Sequence, residues 1–324
     1  MNRKTIKKCA VILLLIVLIL IPVFDKNTYH HMILGQTLVN IIVVLGLNFI
    51  TGLTGQMNLG TAGIMALGAY VSSLVSLKTG IPVLICMAFS LVVGYLIGWI
   101  LGYPSLRLKG VYLSLTTIGF SEIVRLVCTN WVNMTGGTTG VQNIPQINIF
   151  GLKLDSTAKV YYFYLVLVIL LVFVSWRIVH SKFGRVFKAI RDNVEAVEAS
   201  GINIADLKIK AFTLAAMYGC FGGAMYAHLM GYINPTQFTQ DLSANYLVMM
   251  IFGGIGNVAG CILGAATITI LPEVLRFLET YYWLVFSVIT LIFIIFLPNG
   301  VISLFTKGGA IHSLLNKKGE ESNE

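Results

Sequence analysis

The sequence predicts an all-α polytopic integral membrane protein: a bundle of about 8–10 transmembrane helices with glycine-rich broken helices. Three observations predict it. The 324 residues are 57% hydrophobic and only 11% charged, against roughly 25% charged in soluble domains. The mean hydropathy is +0.86. Apolar runs of bilayer-crossing length, about 17–25 residues, recur along the chain. No polar segment is long enough to form a second domain, so residues 1–324 read as one membrane unit.

Residues 1–8 carry Arg3, Lys4, Lys7 and Lys8, followed by an apolar run from Cys9 to Phe24. A signal peptide has the same charged and apolar parts, but no small-residue cleavage site follows at Pro22-Val23-Phe24-Asp25. Cys9 opens the apolar run instead of following it, which excludes lipoprotein processing there. The expectation is an uncleaved first span with a cytoplasmic N-terminus. Further spans are expected at 33–51, 60–77, 81–103, 111–131, 160–179, 210–231 and 281–298. Residues 243–279 form a longer apolar region interrupted by FGGIGNVAG and by Pro272.

Charge orients these spans. With the N-terminus inside, Arg107, Lys109 and the 177–210 stretch fall on the cytoplasmic side, while loops 132–159 and 232–244 fall outside. The basic tail, 299–324, is inside only if 243–279 makes two passes, or one pass and a re-entrant turn. This topology places 16 of the 22 Lys and Arg residues in the cytoplasm. It also accounts for the net charge of +9 without nucleic acid, since no free-standing basic patch interleaves with aromatic residues.

Two segments, GLTGQMNLGTAGIMALGAY (52–70) and GGIGNVAGCILGA (253–265), set closely spaced glycines around single asparagines. Two readings stand. The glycines let helices pack closely, or they break helices that line a translocation path. On the second reading the path residues are Gly55, Gln56, Asn58, Gly60, Gly253, Gly254 and Asn257. Loop 132–159 holds NMTGGTTGVQNIPQINIFG, a turn-rich sequence that predicts a structured outer cap, either closing helix ends or meeting a delivery protein.

No HExxH, GxSxG or GxxxxGK[ST] pattern occurs, and the five scattered cysteines form no CxxC. The chain therefore reads as neither an enzyme nor its own ATPase. Its clear mid-membrane ionisable residues are Glu122 and Arg125, three apart on one helix face, where they can neutralise each other. They act as a structural pair, or take part in the substrate route or in proton coupling.

The longest charged stretch runs from His180 to Ala211. Within it Val186, Phe187, Ile190, Val194 and Val197 recur at helical spacing, predicting an amphipathic helix that ends at Gly201. The cations come early and the acids late, opposite to what a helix dipole favours. The helix is therefore expected either to lodge its apolar stripe in a partner's groove or to lie on the membrane surface.

Taken in order, GLTGQMNLGTAGIMALGAY, YLSLTTIGFSEIVRLV, TGGTTGVQNIP, FGRVFKAIRDNVEAVEASGINI, KAFTLAAMYGCFGGAMYAH, FGGIGNVAGCILGA and FLPNG resemble the membrane permease subunit of branched-chain amino-acid ABC transporters, the LivM type. The resemblance spans about residues 35–305. It implies one half of a paired channel in the cell membrane, working with a second permease subunit (as a heterodimer), two cytoplasmic ATPase subunits and an extracytoplasmic substrate-binding protein. It implies no cofactor of its own, ATP being bound by the partners. Such permeases carry an EAA-x3-G segment that docks on the ATPase. Glu195, Ala196, Val197 and Gly201 match it, with Val197 in place of the second alanine. The implied coupling set, within about 180–208, is Gly184, Arg185, Lys188, Arg191, Asp192, Glu195, Ala196 and Gly201. The alternatives are a permease for ribose-like sugars or nucleosides, and a gradient-driven secondary transporter.

Overall fold

The computed structural model describes residue 22 and residues 27–106, 108, 110–149, 152–153, 156–297 and 300–305. The expected first span at 9–24 (apart from Pro22), Arg107, Lys109 and the tail cations Lys307, Lys317 and Lys318 lie outside the described residues.

The chain is built of helices: α1 (Thr28–Leu47), α2 (Thr61–Thr79), α3 (Val83–Ser105), α4 (Val111–Asn130), α5 (Thr157–His180), α6 (Lys182–Asp192), α7 (Val194–Ala199), α8 (Ile204–Met230), α9 (Gln240–Gly253), α10 (Val258–Val274) and α11 (Tyr282–Phe296). A hairpin of two-residue strands, Asn148 opposite Lys153, is the sole sheet among the described residues. Among the described residues, six helices are long and apolar enough to cross a membrane: α1 with the turn that follows it, α2, α3, α4, α5 and α10 with its extension. The protein is a multi-pass membrane protein.

The centre of the bundle is α8, packed on α3, α2 and α1, with α1 also against α5 and α10. Within a membrane, helices gain little from leaving lipid, so close packing and internal hydrogen bonds must hold them together. Both are present. Gly68 of α2 and Gly223 of α8 stand where any added Cβ would overlap the other helix's backbone. Tyr164 of α5 is fully buried and donates its hydroxyl to the Met225 carbonyl at 2.6 Å. On α1, Asn40 donates to Thr269 Oγ1 of α10 at 2.9 Å and accepts from the Tyr246 hydroxyl of α9. Such polar bridges between apolar helices are costly to break because no water can replace them. Cys86, Cys128, Cys220 and Cys261 are buried and unbridged, in keeping with small packing residues.

Residues 243–279 do divide. Helix α9 has 14 residues, a rise of about 21 Å, too short to span a hydrocarbon core of about 30 Å. It turns at Gly254–Asn257 and returns as α10, the two pressed together where Gly253 meets Gly260 and Gly264. Asn257 caps α10, its Oδ1 accepting from the Ala259 amide at 2.9 Å.

At the end of the bundle remote from α6 and α7, loop 132–149 is structured. Val141 pairs antiparallel with Ile233, and the Ile144 amide donates to the Gly231 carbonyl at 3.0 Å. Buried His228 holds this cap to two elements, with Nδ1 on the Pro145 carbonyl and Nε2 on the Ser72 hydroxyl, each at 2.9 Å.

Candidate functional site

The charged stretch between α5 and α8 is two helices rather than the single amphipathic helix expected over 186–199. Asn193 is extended (φ −156°, ψ 104°), and its side chain accepts from the Ala196 amide at 3.0 Å, closing α6 and capping α7. The break eases the conflict of charge and dipole only in part. Arg191 lies in the last turn of α6 and Glu195 in the first turn of α7, each at the favourable end, whereas Lys182, Asp192 and Glu198 keep unfavourable ends.

Of the apolar stripe, Phe187, Ile190 and Val197 are buried against this chain's own bundle, while Val194 is exposed and Val186 half-buried. Most of what faces outward is charged: Arg185, Lys188, Asp192 and Glu195 are exposed, and among the described residues their side chains make no ion pair or hydrogen bond. A crevice of about 520 Å³ opens between α6 and α7, with Arg185, Asp192 and Ala196 on its walls. Gly184 is buried where a Cβ would strike the Val179 and Ile178 carbonyls, which fixes the tight turn from α5 into α6. Gly201 follows α7 at φ +75°, its amide on the Glu198 carbonyl at 2.9 Å, the left-handed stop that glycine supplies most cheaply.

Arg191 faces the other way. Its Nη1 donates to the Gly52 carbonyl at 2.7 Å, and its aliphatic stem lies over Gly55, where a Cβ would approach Arg191 Cγ to 3.3 Å. Gly52 belongs to a π-helical turn, Asn48–Leu53, in which α1 loses its regular hydrogen bonding before the chain runs without regular structure from Gly55 to Gly60. Asn48, buried in that turn, accepts from the Gly256 amide at 2.9 Å. The glycine-rich breaks of the two halves therefore meet each other through Asn48, and meet α6 through Arg191.

The residues expected along a path lie in and beside these breaks. Gly55 turns the chain at φ +72°. Gln56 is buried, with Nε2 on the Thr54 hydroxyl at 2.9 Å and Oε1 without a hydrogen-bond partner among the described residues. Asn58 is buried and accepts from the Gly60 amide at 2.8 Å, starting α2. Gly253 and Gly254 form the α9–α10 corner, against which Gly300 packs. Asn58 and Asn257 thus each shape a helix start. The segment 57–60 lies along α4: the Leu59 amide donates to Thr117 Oγ1 at 3.1 Å, and Ser114 Oγ donates to the Met57 carbonyl at 3.3 Å.

Glu122 and Arg125 do pair, with Arg125 Nε on Glu122 Oε2 at 2.9 Å and a second bond from Nη2 to Oε1. The pair ties α4 to no other described helix, and it is not buried: 29% of the Arg125 and 47% of the Glu122 side chain is exposed.

Sequence reasoning missed Asn48, Asn193 and the hydroxyls of Ser114 and Thr117. Asn48 left one signal, an amide in an otherwise apolar span; Asn193 left another, a strong cap residue ahead of Glu195 within one helical pattern.

A family model for the branched-chain amino acid transport system permease component matches residues 30–295. The chain is 31% identical to the high-affinity branched-chain amino acid transport system permease protein LivM of Salmonella typhimurium, over 94% of this chain and 77% of the relative. It is 32% identical to the protein of the same name in Escherichia coli, over 83% and 68%. Similarity to the fructose import permease protein FrcC of Rhizobium meliloti is weaker, 26% over 70% and 65%. No solved structure matches.

Proposed function

Because the chain belongs to the permease-component family of branched-chain amino acid transport systems, we propose that it is the membrane-spanning half of an ATP-driven importer of branched-chain or related amino acids. An extracytoplasmic binding protein delivers the substrate at the capped end, 132–159. Two separate ATPase subunits drive transport from the α6–α7 end, which faces the cytoplasm together with both termini. A second permease subunit completes the channel, and the chain itself carries no nucleotide or cofactor.

The observation that carries this reading is the Arg191–Gly52 hydrogen bond at 2.7 Å. It joins the charged segment to the break in α1, and through Asn48 to the break at Gly256. In this mechanism the ATPase grips Arg185, Lys188, Asp192, Glu195 and Ala196, while Gly184 and Gly201 set the turns at either end of the lever. ATPase closure displaces α6, and Arg191 passes the displacement to the glycine-rich junction. The contacts differ between inward- and outward-open states, which is all a permease must supply. The EAA-x3-G register supports docking around Glu195. The weaker similarity to a sugar permease leaves sugars as the second reading.

The test is reconstitution with the partner subunits and labelled leucine. ATP-dependent uptake, competed by isoleucine and valine but not by fructose or ribose, is expected. Uptake that follows an ion gradient and needs no ATPase would overturn the reading.

A further inference from the structure

The exposed faces of the spans are of two kinds. On α3 the face carries Val92, Leu96, Trp99 and Tyr103, and on α5 it carries Val166, Leu170 and Phe173, all about half exposed or more. These are surfaces for lipid. On α4 the exposed apolar positions Leu115, Ile123, Leu126 and Val127 are interrupted by Thr116, Gly119, Glu122, Arg125 and Asn130, which are exposed or half-exposed. Glu122 lies eleven residues into the helix, about 16 Å along its axis, which is the middle of a hydrocarbon core of about 30 Å. Ionised groups at that depth are unfavourable against lipid by about 2.5–3.5 kcal/mol each on insertion scales, and they belong to protein interiors or water-filled paths.

The opposite face of α4 is committed. Thr117 and Ser121 pack on Gly60 and Gly63, where a Cβ would come within 2.5 Å of the Thr117 carbonyl and of Ser121 Cα. The helix cannot simply roll its charges inward.

We propose that the polar stripe of α4 is the water-facing wall of the translocation path, and that Glu122 and Arg125 form a transit site for an α-amino acid zwitterion. The carboxylate of Glu122 takes the substrate's ammonium, and the guanidinium of Arg125 takes its carboxylate through paired N–H donors. Closed on each other in the empty path, the two groups neutralise; opened, they match the two charges every amino acid carries and leave its side chain unread. This inference rests on the importer reading above.

Two measurements on the full transporter in membrane vesicles test it. Single cysteines replace Thr116, Gly119, and the α3 control Leu96, in a chain otherwise free of cysteine. An added Cβ at Gly119 meets nothing within 4 Å. The membrane-impermeant reagent methanethiosulfonate ethyltrimethylammonium should label T116C and G119C at least tenfold faster than L96C. Equal, slow labelling of all three would overturn the proposal. Second, E122Q/R125Q removes both charges together and strands neither, so a purely structural pair predicts normal uptake of labelled leucine. The proposal predicts at least a tenfold loss, with normal membrane content and normal ATP hydrolysis. Wild-type uptake by the double variant would sink the transit site while leaving ATP-driven import intact. Failure of the wild-type transporter to import leucine with ATP would instead sink the importer reading.

Discussion

Arg191→Ala is the sharpest perturbation of the proposed lever, because it deletes one bond and leaves the outward-facing docking charges in place. Hydrogen bonds from a charged group contribute about 1.5–3 kcal/mol. Arg191 is itself exposed, so water competes for its guanidinium and the lower figure, about 1.5 kcal/mol, applies. That is roughly tenfold in the equilibrium linking the lever to the junction. The Gly52 carbonyl loses its donor, and Gly55 loses the stem lying over it. The buried stripe of Phe187 and Ile190 remains, so α6 should stay docked on the bundle. In proteoliposomes with the partner ATPases, leucine moved per ATP hydrolysed should fall about tenfold, while hydrolysis itself and subunit assembly hold. Arg191→Lys, with a shorter and more mobile donor, should fall between the two. Unchanged stoichiometry in R191A would refute the idea that force passes through this bond.

Three further outcomes are expected. Glu195→Lys reverses an unpaired charge in the first turn of α7, and Gly201→Val puts a β-branched residue at φ +75°; both should uncouple hydrolysis from uptake without lowering membrane content, as seen by blotting and transport assays on the same vesicles. Gly223→Leu forces a side chain into the backbone of α2, where a Cβ would reach the Ala69 amide nitrogen at 3.0 Å; a loss of about 3 kcal/mol should appear as a lowered Tm in detergent and poor accumulation. His228→Ala leaves the buried Ser72 hydroxyl and the Pro145 carbonyl without this partner, costing about 1–3 kcal/mol; loop 132–149 should then become open to protease under conditions where the wild type resists.

Much of the fold was legible because membrane crossing demands long apolar runs, and composition records them directly. The runs at 81–103 and 111–131 correspond to α3 and α4 almost residue for residue, and FGGIGNVAG marked the α9–α10 corner. Glycine spacing likewise pointed to Gly55, Gly60, Gly253 and Gly254 before any contact was known. Long-range relations were not legible. That Asn48 reaches Gly256 depends on how α1 stands beside the α9–α10 hairpin, and nothing local to either segment records it. Within 186–199 the apolar spacing marks the residues that bury, Phe187, Ile190 and Val197, but not Val194, which is exposed, and periodicity cannot tell whether a stripe turns toward its own bundle or a partner. One short side chain, Asn193, overrode the single-helix pattern by offering the next amides a better acceptor. The exposure of Glu122 and Arg125 was equally hidden, since a helical wheel places them together without saying what faces them.

The most direct measurement is photo-crosslinking from a probe at Lys188 or Ala196, carried out on the assembled transporter in its native membrane. Adducts with an ATP-hydrolysing subunit, changing in yield when ATP binding is trapped, are the predicted result. Adducts confined to lipid, with none to such a subunit in either nucleotide state, would contradict the claim that a separate motor drives this permease through α6 and α7.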